Sequence, residues 1–74
     1  MSHSVIAKNP EILGGAPVFR GTRVPVRILL EYLEAGDRID DFLDNHPSVT
    51  REQAVELIEL AIEQLTKLGD DAAA

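Results

Sequence analysis

From Pro25 onward the apolar residues recur every three or four positions, the spacing of one helix face, whereas before Pro25 they come in pairs and triplets split by Gly and Pro. A first helix is predicted over 25–35: Pro25 suits an opening position, and Gly36 supplies the stop. Val26, Leu29, Leu30 and Leu33 share its main face, flanked by Ile28 and Tyr32, with only Arg27, Glu31 and Glu34 as a polar edge. So apolar a helix needs cover on more than one side. A second helix is predicted over 38–45, with Asp37 as N-cap, Ile39, Phe42 and Leu43 inward and Asp40, Asp41 and Asp44 outward. His46-Pro47-Ser48-Val49 then turns the chain.

Thr50-Arg51-Glu52-Gln53 has the form of a capping box, in which the Thr50 hydroxyl accepts from the Gln53 N–H and the Gln53 side chain returns to the Thr50 N–H. It opens a third helix over 51–68, closed by Gly69 and followed by a frayed tail over 70–74. Ala54, Val55, Leu57, Ile58, Ala61, Ile62, Leu65 and Leu68 form a wide apolar arc opposite Glu52, Glu56, Glu59 and Glu63. Leu60 falls about 240° round from Ala54, outside that arc, and is a candidate contact with another molecule.

The residues before the first helix form an arm over 5–25. Val5-Ile6-Ala7 is a short β-type run that pairs either with the next segment or with another copy of the chain. Glu11-Ile12-Leu13 is expected to make one loose helical turn ending at Gly14, with Ile12 and Leu13 dipping into the core. Val18-Phe19 and Val24 flank Arg20-Gly21-Thr22-Arg23, a hairpin signal that places two guanidinium groups at a tight turn. The fold class is mainly α: an N-terminal strand and hairpin region followed by a three-helix, helix-turn-helix-like (homeodomain-like) bundle, in a single domain over 1–69.

Asn9, Pro10, Gly14, Gly15, Pro17, Gly21, Thr22, Arg23, Pro25 and Val26, followed by Gly36, Pro47 and Thr50, reproduce a pattern that resembles the domain-of-unknown-function 433 family. The likeness runs over about residues 5–65, and Gly-Thr-Arg-x-Pro-Val is its most specific part. It implies a small helix-turn-helix antitoxin encoded beside a nuclease-like toxin, and hence toxin binding together with operator DNA binding.

Composition narrows the field. Seventy-four residues make one small domain with a marginal core, and with no Cys to staple it the expected support is a second copy, a homodimer. The absence of Cys fits a reducing cytoplasm, and no apolar run approaches the roughly 20 residues of a membrane span. Net charge is −6, but unevenly spread: residues 1–30 carry 4 − 1 = +3 and residues 31–74 carry 3 − 12 = −9. A polyanion would meet the first part, and a basic protein the second.

Candidate chemistry follows that division. Arg20, Thr22, Arg23 and Arg27 at the hairpin, with Arg51 and Gln53 at the start of the third helix, are the candidate DNA contacts. Of the hairpin pair, Arg20 is read as the outward ligand group and Arg23 as the one bracing the loop. Glu52, Glu56 and Glu59 disfavour that helix as a groove reader along its middle. Tyr32, Leu57, Leu60, Glu56, Glu59 and Glu63 are the candidate contacts to a basic toxin. His46 is read as a helix cap, and His3 as unstructured. No catalytic residue, metal site or cofactor is expected: the carboxylates follow surface spacing, and no pair has the neighbours that would set one up for acid–base work. The alternative functions are a free-standing DNA-binding regulator and a dimeric interaction module without a toxin partner.

Overall fold

Two phenylalanines set the centre of the molecule. Phe19 and Phe42 are fully buried with ring centroids 5.8 Å apart, and Val5, Leu29, Val49, Ala54 and Leu57 close around them. The structure is a computed structural model that describes the backbone of residues 4–73 and the side chains of residues 4–69. The expectation for His3 lies outside those residues. The chain is mainly α, with an N-terminal antiparallel hairpin arm and three helices: β1 (Ile6–Ala7), β2 (Val18–Phe19), α1 (Val26–Glu34), α2 (Ile39–Asn45) and α3 (Arg51–Ala73).

β1 pairs with β2 in register Ile6↔Phe19 and Ala7↔Val18, so the first strand meets its own chain's hairpin. On the other side of β2 the chain returns through a Val18↔Pro25 bridge, with the Phe19 N–H donating to the Val24 carbonyl at 2.9 Å. The turn between them closes through the Thr22 N–H on the Phe19 carbonyl at 2.9 Å. Gly21 occupies its third position at φ 81°, where a Cβ would be strained.

The Glu11–Leu13 segment departs from expectation. Leu13, Gly14 and Gly15 all have positive φ (51°, 66° and 91°), forming a left-handed turn, and Leu13 is 60% exposed where the sequence suggested core. Two adjacent glycines make such a path available, and the chain carries Leu13 into it at a cost of roughly 1–2 kcal/mol.

α1 begins one residue after Pro25, which stays extended because it is bridged to β2. Its end is a Schellman motif: Gly36 at φ 91° donates to the Leu33 carbonyl at 3.0 Å, and Asp37 donates to the Tyr32 carbonyl at 2.9 Å. Asp37 ends that motif and lies one residue too early to cap α2, which begins at Ile39. Arg38 takes that place, its N–H accepted by the Asp41 carboxylate at 2.9 Å.

The face α1 turns inward also differs. Leu29 is buried and Ile28 and Tyr32 pack beside it, whereas Leu30 and Leu33 are exposed. On a helix apolar nearly all round, spacing cannot choose the face. The choice follows the Tyr32 ring, which meets the buried Phe42 ring edge-on at 5.5 Å, an arrangement aromatic pairs favour.

α3 opens on the expected capping box: the Gln53 N–H donates to Thr50 Oγ1 at 3.1 Å, and Gln53 Oε1 accepts the Thr50 N–H at 3.1 Å. It does not stop at Gly69. The helix continues through that residue to Ala73, which corrects the frayed tail.

Candidate interaction surfaces

Arg20 is the residue most changed by the structure. Its Nε donates to the Ser4 carbonyl at 2.7 Å and its Nη2 to the Ile6 carbonyl at 3.0 Å, so the guanidinium clasps the first strand. Its N–H donates to the Val5 carbonyl at 2.8 Å, and its own carbonyl accepts Gln53 Nε2 at 2.9 Å. One residue thus ties the N-terminal strand, the hairpin turn and the start of α3 together. A strand of two residues has little ladder of its own, which is why the side chain matters there.

The other candidate DNA contacts are mostly committed as well. Thr22 Oγ1 donates to the Phe19 carbonyl at 2.8 Å and accepts the Val24 N–H at 3.0 Å, closing the turn from both sides. Arg27 pairs with Glu31 one turn along α1 at 3.1 Å. Arg51 pairs with Asp40, which also lies 3.8 Å from Arg38. Gln53 is spent on the cap and on the Arg20 carbonyl. Arg23 alone of this set is exposed with no polar partner among the described residues. The sequence assigned the loop-bracing role to Arg23 and the outward role to Arg20, and the structure reverses them. Residue type is the same for both, Arg20 lying inside the turn and Arg23 just after it; what decides is which of them faces the first strand, and that is tertiary.

The candidate partner contacts divide in two. Leu57 is 5% exposed and belongs to the core, which corrects its reading as an outer contact, and Leu60 is half-buried against that core. Tyr32 is half-buried against Phe42 and His46, with its hydroxyl accepting Asn45 Nδ2 at 2.9 Å. Glu56, Glu59 and Glu63 are exposed as expected. What the sequence missed is the apolar surface between: Ile62 (58% exposed), Leu65 (65%) and Leu68 (63%) stand bare on the second half of α3. Helical spacing extends the apolar arc along the whole helix and does not say which part of it is covered. The bundle covers only its first half, since α2 is short and α3 outruns it. The mismatch between a seven-residue α2 and a 23-residue α3 was the available signal.

His46 ends α2 as expected of a cap, and its ring lies 5.0 Å from Phe42, filling the gap at the helix end. No helix among the described residues is long and apolar enough to cross a membrane.

A strand arm stapled by an arginine onto a three-helix bundle defines a small, mainly helical domain. Residues 6–61 match the family described as "Protein of unknown function (DUF433)", and the chain belongs to that family. It is similar to an uncharacterized protein, y4eO, of Sinorhizobium fredii, at 38% identity over 52 residues that make up 70% of this chain. The match spans 24% of that relative's length. Its fold is similar to that of a crystal structure of a DUF433 member protein from Anabaena variabilis, with a TM-score of 0.70 at 25% identity, over 97% of this chain and 71% of that one.

Proposed function

We propose that this protein is an antitoxin-like binding protein of the cytoplasm, which holds a basic, nuclease-like toxin against its acidic C-terminal half. The observation that carries the reading is the bare row Ile62, Leu65 and Leu68 on a helix that also displays Glu52, Glu56, Glu59 and Glu63. Apolar residues supply the anchoring energy of an interface and a ring of like charges steers an oppositely charged partner onto it. The family resemblance supplies the kind of partner. The reading includes a homodimer, for which the exposed Leu30 and Leu33 of α1 are the available face, separate in sequence from α3.

The test is co-purification of this protein with the product of the adjacent gene, followed by a nuclease assay with and without it. A stable complex with reduced nuclease activity is the expected result. No association and no change in activity would remove the reading and leave a free-standing dimeric module. Operator binding has less support, because Arg20, Arg27 and Arg51 each have a partner within the chain and Arg23 stands alone. A DNA affinity that falls steeply with salt, and less steeply in Arg23→Ala, would restore it.

A further inference from the structure

The outer surface of α3 has more order than a generic apolar face. Val55, Ile58, Ile62 and Leu65 follow a 3-4-3 spacing, and at about 100° per residue they fall within an arc of about 80°. Spacing of this kind is the seam that receives another helix. Val55, Ile62 and Leu65 are exposed along it, and Ile58 is half-buried where the seam adjoins the core. A shallow open depression lined by Arg51, Glu52, Val55 and Glu56 marks its N-terminal end.

The seam's two borders are unlike. On one side it runs into the protein's own core through Ala61 and Leu57. On the other, Glu59 stands about 40° beyond Val55, Glu52 about 60°, Glu63 about 80° and Glu56 about 100°. No cation interrupts that border: Arg51, paired with Asp40, falls within the seam's own arc at its N-terminal end, and Lys67 lies beyond the acids, about 120° from Val55.

A second copy of the chain fits this seam poorly. An antiparallel pairing that sets Val55 against Leu65 and Ile58 against Ile62 brings the two Glu59 side chains to the same crossing. It also joins two bodies of charge −6 along their most acidic edge. Like charges at the flanks of such a seam oppose pairing, and opposite charges there select the partner.

We propose that the seam Val55-Ile58-Ile62-Leu65 is the seat of an amphipathic helix from a basic protein, laid along α3 with its Lys and Arg residues on the single flank that meets Glu59, Glu52 and Glu63. This rests on the proposed binding of a basic partner and adds how that partner is held.

The probe is a synthetic helical peptide with leucines at 3-4 spacing and lysines on one flank, labelled for fluorescence anisotropy and titrated with the full chain. Binding is expected at low salt and is weakened at high salt. The double variant Ile62→Ala/Leu65→Ala, whose side chains are exposed and whose helicity is checked by circular dichroism, loses about tenfold or more in affinity. Glu59→Lys weakens binding several-fold more than Glu56→Lys. No binding by the wild type, no loss in the double variant, or equal effects of the two Glu variants would overturn the proposal. So would sedimentation showing a dimer that Leu65→Glu converts to a monomer, because the seam would then hold a second copy. If the adjacent gene's product binds the double variant as well as the wild type, the seat is wrong and the antitoxin reading stands. If the peptide binds as described and that product does not bind at all, the seat stands and the antitoxin reading fails.

Discussion

Arg20 and Arg23 sit three positions apart on one turn, and substituting each by Ala separates a structural guanidinium from a free one. Arg20→Ala removes two charged donors from the carbonyls of Ser4 and Ile6, at 2.7 and 3.0 Å. Hydrogen bonds to charged groups are worth about 1.5–3 kcal/mol, but the side chain is exposed and water replaces part of each, so about 1–2 kcal/mol for the pair is expected. In a domain of this size about 1 kcal/mol moves the melting temperature by roughly 4–8 °C, so Arg20→Ala is expected to lower it by roughly 4–16 °C. Arg23→Ala, which breaks no contact among the described residues, stays within about 0.5 kcal/mol. Urea titration followed by far-ultraviolet circular dichroism measures both. Amide exchange at Arg20, whose N–H is held by the Val5 carbonyl, adds a local readout that should quicken in Arg20→Ala alone. Equal stabilities of the two variants, or an Arg20→Ala protein as stable as the wild type, would refute the clasp and return Arg20 to the solvent-facing role.

Other substitutions have equally definite signs. Leu13→Asn should stabilise by roughly 0.5–1 kcal/mol in the same titration, because Leu13 is exposed at φ 51° and Asn tolerates that region better. Gly21→Ala should destabilise by about 1–2 kcal/mol, and since no atom lies within 4 Å of an added Cβ, the whole of that cost is backbone strain. Thr50→Ala removes the hydroxyl that accepts the Gln53 N–H and should cost about 1 kcal/mol. Leu57→Ala should cost about 2–5 kcal/mol, while Leu65→Ala should be nearly neutral to folding, a contrast read directly from thermal melts.

What was legible in the sequence was whatever local chemistry decides alone. Thr50 and Gln53 can close a box only with each other, Gly36 can stop α1 only by turning left-handed, and Gly21 can make the hairpin turn with no help from elsewhere. What was illegible needed a second element. Asp37 is a sound N-cap in isolation, yet the Schellman turn carries the chain one residue further before α2 begins. Leu30 and Leu33 obey helical spacing as well as Ile28 and Tyr32 do, and only the position of Phe42 selects between them. The site suffered most, because Arg20 and Arg23 are indistinguishable until the first strand is placed alongside.

That placement carries through to the surface. Gln53 satisfies the N-terminus of α3 with one end of its amide and the Arg20 carbonyl with the other, so the side chain best suited to reading a base is occupied in joining the hairpin to the helix. Arg51, beside it, is drawn down to Asp40 of α2. The N-terminal turn of α3 therefore offers few uncommitted donors, and the exposed charge that follows it, Glu52, Glu56, Glu59 and Glu63, is carboxylate until Lys67. Further on, the short α2 leaves α3 uncovered, and the apolar side chains that spacing would have sent inward face out beside those carboxylates. Carboxylates beside apolar side chains are the pairing on which the proposed binding of a cationic protein rests. Arg20, Arg27 and Arg51 are thus held by the chain's own carbonyls and carboxylates, which is the physical reason the partner proposed above is a cationic protein and not a nucleic acid.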